Sequence, residues 1–191
     1  MYQALLADAK FHEQLLAFDR DLAAQCRAKG CPDCGGVLHS ASYRRKPRGR
    51  LVGALGEEHD RRFSFCCAVD GCRDRATPPS LRFLGRKVYL AVTVTLISAM
   101  RDGLTERRLD TLAEAVGVDR RTVARWRGWW QARFTTTPFW RAASASLMPP
   151  VDAARLPASL LERFAGDAGE PLIAFLSFLR PITAGTSMQA F

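Results

Sequence analysis

Residues 104–131 read LTERRLDTLAEAVGVDRRTVARWRGWWQ, and their periodicity changes twice within a short span. Leu109, Leu112, Ala113 and Val116 fall on one face of a first helix. After a break, Val123, Trp126 and Trp130 repeat at three- and four-residue steps on a second helix. Gly117 can take the positive φ that a tight turn requires, and Asp119 is placed to cap the second helix by accepting from its free N–H groups. Arg120, Arg121, Thr122 and Arg125 then stand at the exposed start of that helix. Arg121, Arg125 and Gly128 share the side opposite the apolar stripe.

Small Ala113, Gly117 four positions later, and apolar Val123 and Trp126 together resemble the helix-turn-helix family over some 25 residues. The resemblance implies that the second helix is a recognition helix, whose N-terminal residues meet base edges in the major groove of double-stranded DNA. In that family the motif supplies the second and third helices of a three-helix unit. The run VYLAVTVTLISAM, Val88 to Met100, precedes it. Its β-branched content suits a strand, but its length and its position before the motif favour a helix, and we read Arg86 to Arg101 as the first helix of the unit, buried nearly all round.

The chain around this unit is 191 residues long with 48% apolar and 25% charged residues, which suits a globular protein rather than a disordered one. Its net charge of +9 is unevenly placed: residues 31–141 hold 21 cationic and 11 anionic side chains, whereas both ends are nearly balanced. The basic excess points to a polyanionic partner. The 13-residue apolar run falls short of the roughly 20 that a membrane span needs. The N-terminal stretch lacks the features of a secretory signal, so we expect a cytoplasmic, nucleoid-associated protein that does not engage membranes. In a reducing compartment six cysteines point to metal ligation or buried thiols rather than disulfides.

The cysteines are grouped. CPDCGG, from Cys31 to Gly36, is a tight turn that aims two thiolates at one ion, and RRFSFCCAVDGC brings a short alternating strand to a second turn ending at Cys72. Cys66 and Cys67 both offer a third sulfur; Phe63, Phe65 and Cys67 share one strand face, which favours Cys67. His39 is a further candidate. Two such turns on short strands resemble a zinc ribbon, which implies structural Zn2+ held by Cys31, Cys34, Cys67 and Cys72. Four thiolates would close the coordination sphere and leave no position for a reactive water. Between the turns, YRRKPRGR places Arg44, Arg45, Lys46, Arg48 and Arg50 on a ribbon loop, where they suit phosphate contacts that position a protein without reading sequence.

Residues 2–28 read as an amphipathic packing helix with Leu5, Leu6, Ala9, Leu15, Leu16, Phe18 and Leu22 on its stripe and Gly30 at its end, His12 and Cys26 being structural. TTTP at 135–138 and ASASLMPP at 143–150 read as loops. Residues 157–180 read as two helices parted near Gly166 to Pro171, the second so apolar that the N-terminal helix or another chain must cover it, with a loose tail from Pro181. The fold class expected is mainly α with a small β zinc ribbon: a packing helix over 1–30, the ribbon over 31–79, a helix-turn-helix three-helix unit over 80–141, and packing or oligomerising helices over 142–191.

A zinc ribbon, an arginine-rich loop, a buried helix and a helix-turn-helix, in that order, resemble the DNA-binding front end of bacterial insertion-sequence transposases and the short accessory proteins encoded with them. No acid/base pair, nucleophile motif or phosphate loop stands out, and the chain is not expected to be an enzyme. The resemblance implies a DNA-binding protein that positions a separate transposase or recombinase. Two other classes fit the same residues: a homodimeric transcription regulator, and an adaptor that docks on a recombinase or nuclease with only non-specific DNA contacts.

Overall fold

In the computed structural model, which describes residues 2–45, 55–84, 91, 93–95, 110, 114, 117–167 and 169–184, Asp8 divides the N-terminal helix in two. Helix α1 (Tyr2–Ala7) ends before it, and Asp8 restarts the chain as the cap of α2 (Ala9–Lys29), accepting from Lys10 N at 2.9 Å. Gly30 stops α2 at φ +77°, where a Cβ would lie 2.7 Å from the Gly35 carbonyl oxygen. The buried face of α2 carries Phe11, His12, Leu15, Leu16, Asp19 and Ala23. Phe18, expected on this face, is exposed, because the buried stripe runs in four-residue steps, Phe11 to Leu15 to Asp19 to Ala23 and His12 to Leu16, and passes it by. The His12 ring meets the Leu6 carbonyl, closing the bend at Asp8.

The ribbon follows. Strand β1 (Leu38–Ser40) pairs antiparallel with β4 (Phe65–Cys67), Leu38 opposite Cys67 and Ser40 opposite Phe65, and β4 pairs onward with β5 (Arg75–Ala76). Beyond Ser40 the same hairpin continues as β2 (Tyr43–Arg44) against β3 (Arg61–Arg62), reached through a 3-10 turn at Glu57–Asp60. Leu38, Phe65, Cys67 and Ala76 form a small core with Cys31, and Ala23 of α2 closes it. Partly buried Cys26 packs there too, and burial pushes its thiol above its ordinary pKa, as suits a packing cysteine.

A larger core joins both ends of the chain. Leu6, Phe11 and Leu15 from the N-terminal helices meet Leu81, Phe83 and Leu84, the second half of the molecule and the C-terminal helices. Helix α3 (Arg120–Gly128) runs into a π turn at Trp129–Arg133. The wider turn lets adjacent Trp129 and Trp130 both face inward, packed edge to face with ring centres 4.8 Å apart. Phe134 sits against both. The TTTP stretch is not a plain loop: Thr137 caps α4 (Pro138–Ser144) by accepting from Trp140 N, and Pro138 occupies the first turn, where its missing N–H costs nothing.

The C-terminal pair is α5 (Ala158–Leu161) and α6 (Glu170–Leu179), parted as expected. The apolar face of α6 is covered within the chain. Leu172, Phe175, Leu176 and Leu179 are buried, Phe175 lies 6.0 Å from Trp130, and a Cβ on Gly169 would strike Phe11. The expected loose tail is instead pinned at its start. Residues Arg180–Thr183 form a 3-10 turn, Ile182 is buried, and the Thr183 hydroxyl accepts from Ser80 N at 2.7 Å.

Of the expected helix over 86–101, Ala91 and residues 93–95 are helical and almost wholly buried, Ala91 and Val94 joining the large core. Asp110 and Glu114 are helical as well; the rest of 104–116 lies outside the described residues. Among the described residues no helix is long and apolar enough to cross a membrane.

Candidate metal centre and nucleic-acid interface

The two ribbon turns converge on four sulfurs. In the first, Gly35 N donates to Cys31 O and Cys31 N to Gly36 O, both at 2.8 Å, which folds Cys31 and Cys34 onto one side. In the second, Cys67 N donates to Asp74 O, and Gly71 and Arg73 both take positive φ, +89° and +50°, to bring Cys72 back toward Cys67. The Sγ atoms of Cys34 and Cys67 lie 3.4 Å apart, those of Cys31 and Cys72 3.7 Å, and all four fall within 4.8 Å of one another. Tetrahedral thiolates about 2.3 Å from a metal would be separated by roughly 3.8 Å. The spacing therefore fits one tetrahedral ion, and none of the six cysteines is in a disulfide.

Electrostatics and packing fit the same reading. A backbone hydrogen bond at Cys34 holds the Cys31 thiol below its ordinary pKa against the opposing effect of burial. The backbone also favours the thiolates of Cys67, through Val69 N at 3.4 Å, and of Cys72, at Asp74. For both, burial and the neighbouring sulfurs outweigh it and raise the pKa. Sulfurs this close repel as thiolates, so full ionisation calls for a cation among them. Gly36 makes room for the set: a Cβ there would stand 3.2 Å from Cys67 Sγ and 3.3 Å from Cys34 Sγ.

Cys67 rather than Cys66 enters the cluster, as strand alternation favours; Cys66 Sγ points to the carbonyls of its own turn, at Cys67 and Arg73. His39 is exposed on β1 opposite Cys66 and is not part of the group. The donor set holds no carboxylate and no imidazole. With four sulfurs the sphere is closed, which suits a structural ion and not a water-activating one.

The expected DNA-contacting residues of the second half, Arg120, Arg121, Thr122 and Arg125, sit on α3. Gly117 has φ +63°, and Asp119 caps α3 by accepting from Arg121 N at 2.7 Å. Val123, Trp126 and Trp130 are buried, while Arg120, Arg121, Arg125 and Gly128 are exposed. Arg120 pairs with Asp110 at 2.9 Å. Thr122 departs from expectation: it is only 6% exposed, because residues 122, 126 and 130 follow one another at four-residue steps on the inward stripe. Its hydroxyl accepts from Arg125 Nη2 at 2.8 Å, so it orients an arginine instead of reaching outward itself.

On the ribbon, Arg44 is exposed and paired with Glu57 at 2.7 Å, and the Arg45 guanidinium stacks 4.7 Å over the Tyr43 ring. Lys46, Arg48 and Arg50 lie outside the described residues.

A buried polar junction went unforeseen. Asp19 accepts from Ser80 Oγ, Leu81 N and Arg82 Nε at 2.6, 2.7 and 2.8 Å, and Asp19 and Arg82 are 1% and 3% exposed. Arg82 also donates to the carbonyls of Glu58, His59 and Arg61, tying α2 to the ribbon. Buried Arg62 donates to the carbonyls of Pro78 and Thr183, tying the ribbon to the chain end. Burial lowers the pKa of both arginines, with Asp19 opposing it. Asp19 carried a signal in its four-residue step from Leu15; Arg62 and Arg82 were hidden inside a basic segment that reads as surface.

Comparison of the chain with family models, with characterised proteins and with solved structures found no match.

Proposed function

We propose that this is a non-catalytic, zinc-stabilised protein that binds double-stranded DNA by laying α3 in the major groove. The observation that carries the reading is the division of that helix. An inward stripe of Thr122, Val123, Trp126 and Trp130 locks it to the core, and an outward face presents Arg121 and Arg125 beside Gly128, which has no side chain to obstruct approach. Arginine to guanine is the commonest specific major-groove contact, and Thr122 fixes the direction of one such arginine.

The four-cysteine cluster takes zinc as a structural ion, on its tetrahedral spacing and all-sulfur donor set. Zinc here supplies cross-linking of the two turns; Cys31, Cys34, Cys67 and Cys72 hold it, and Gly36 leaves space for them. The ribbon loop, with Arg44, Arg45 and the neighbouring Lys46, Arg48 and Arg50, grips phosphates. The order of these parts resembles the front end of insertion-sequence transposases, and on that ground the protein positions a separate transposase or recombinase on element DNA.

Fluorescence anisotropy of a labelled duplex across a salt series tests the binding. The expected result is a linear fall of log affinity with log salt, its slope reduced by about one for each phosphate-contacting cation removed. Binding that ignores salt, or that is unchanged in an Arg121→Ala/Arg125→Ala variant, removes α3 from the interface.

A further inference from the structure

Alternation along the ribbon puts Arg61, Phe63 and Phe65 on one face, which is buried in the small core at Phe65 and reaches solvent toward Phe63 and Arg61. It lines an open cleft of about 410 Å3. Phe63 is half-buried, and the buried guanidinium of Arg82 lies 5.4 Å from its ring centre and packs against it. Ser40 and Ser42, their hydroxyls 3.5 Å apart, belong to its lining. Glu57 and Glu58 line it as well.

The chemistry of this cleft selects among ligands. Its two carboxylates are already matched, Glu57 by Arg44 at 2.7 Å and Glu58 by Arg20 at 2.5 Å, so the site has no surplus negative charge to draw a cation. The same carboxylates make it a poor phosphate site. What the cleft offers is an aromatic ring, hydroxyls that donate or accept, carboxylate acceptors and the Arg61 donor. A flat, neutral group with donor and acceptor edges fits that description. Arg45 stands just past the adjoining strand, where it would meet a phosphate next to such a group.

We infer that the cleft over Phe63 is a binding site for an unpaired nucleobase, so that the ribbon engages single-stranded nucleic acid next to the duplex gripped by α3. This inference rests on the nucleic-acid reading above, yet it fails separately from it. Stacking on an aromatic ring is tolerant of base identity, so the site prefers strand opening or an overhang over any one sequence.

The test compares a blunt duplex with the same duplex carrying a short single-stranded extension, using the full zinc-loaded chain. The extension is expected to tighten binding roughly ten-fold, and Phe63→Leu to abolish that gain while leaving blunt-duplex affinity unchanged. Because Phe63 also packs in the ribbon core, a second measurement uses the unaltered protein: iodouracil in the extension, irradiated in the complex, is expected to cross-link to Phe63. No gain from the extension, a gain retained in Phe63→Leu, or a cross-link mapping away from the cleft overturns the inference and leaves duplex binding by α3 standing. Phe63-dependent binding of a single strand without duplex binding keeps the cleft and overturns the α3 reading. Absence of binding to either DNA overturns both.

Discussion

Replacing Asp19 by Ala should destabilise the whole protein, and the junction it anchors allows the size to be worked out. The carboxylate and the Arg82 guanidinium are 2.8 Å apart and both almost fully buried. At an effective dielectric constant near 20 their attraction is about 6 kcal/mol, most of it offset by the cost of taking two charges out of water. Removing Asp19 keeps that cost on Arg82 and deletes the attraction, and it orphans Leu81 N–H and Ser80 Oγ–H. Loss of one partner of a buried pair costs about 3–5 kcal/mol, a large share of the roughly 5–15 kcal/mol that holds a typical domain folded. Urea unfolding measures it, with tryptophan fluorescence reporting the helical core and the thiolate absorption of bound Co2+ reporting the cysteine cluster. Both transitions should move together, because Arg82 joins α2 to the ribbon. In a double-mutant cycle with Arg82→Met the two losses should fall short of additive by about 2 kcal/mol. A cost below about 1 kcal/mol for Asp19→Ala, or strict additivity, would refute the reasoning.

Gly36→Ala should weaken zinc binding roughly ten-fold or more in a chelator competition, since its Cβ would lie 2.5 Å from Val69 Cγ2 and against two cysteine sulfurs; Gly56→Ala, with nothing within 4 Å, should be silent. The hydrogen bond from Arg20 holds the Glu58 carboxyl below its ordinary value of 4.5, so the stability it contributes is fully present above that value and lost as pH falls through the lower, folded-state value. For so exposed a pair the effect stays below about 1 kcal/mol, and Arg20→Ala should erase it from the acid limb of a stability profile. Thr122→Val keeps the shape at a buried position but removes the acceptor for Arg125, so it should cost about 1 kcal/mol in unfolding while lowering sequence discrimination by DNA. Retained discrimination would show that Arg125 needs no such guide.

Much of this is legible in the sequence itself. The Cys-Pro-Asp-Cys-Gly-Gly turn and the alternation of Phe63, Phe65 and Cys67 separated Cys67 from Cys66, because both are local geometry. Gly117 and Asp119 declared the start of α3 for the same reason. Thr122 was misplaced because a small polar residue among arginines looks exposed, although its four-residue step to Trp126 places it inside. The Asp19–Arg82 pair was not legible: its partners are 63 residues apart, and a charge on an apolar stripe becomes stable only when a distant segment arrives with matching donors. The pinned turn at 180–183 depends likewise on Ser80 and Arg62, over a hundred residues away.

The central claim, that α3 chooses the DNA site, is tested most directly by selecting bound duplexes from a random pool with the zinc-loaded protein and repeating the selection with Arg121→Ala/Arg125→Ala. The account predicts a shared sequence in the first pool that is relaxed at guanine positions in the second, each lost contact worth about 1–3 kcal/mol of discrimination. The same sequence emerging from both pools, or none from the first, would contradict it.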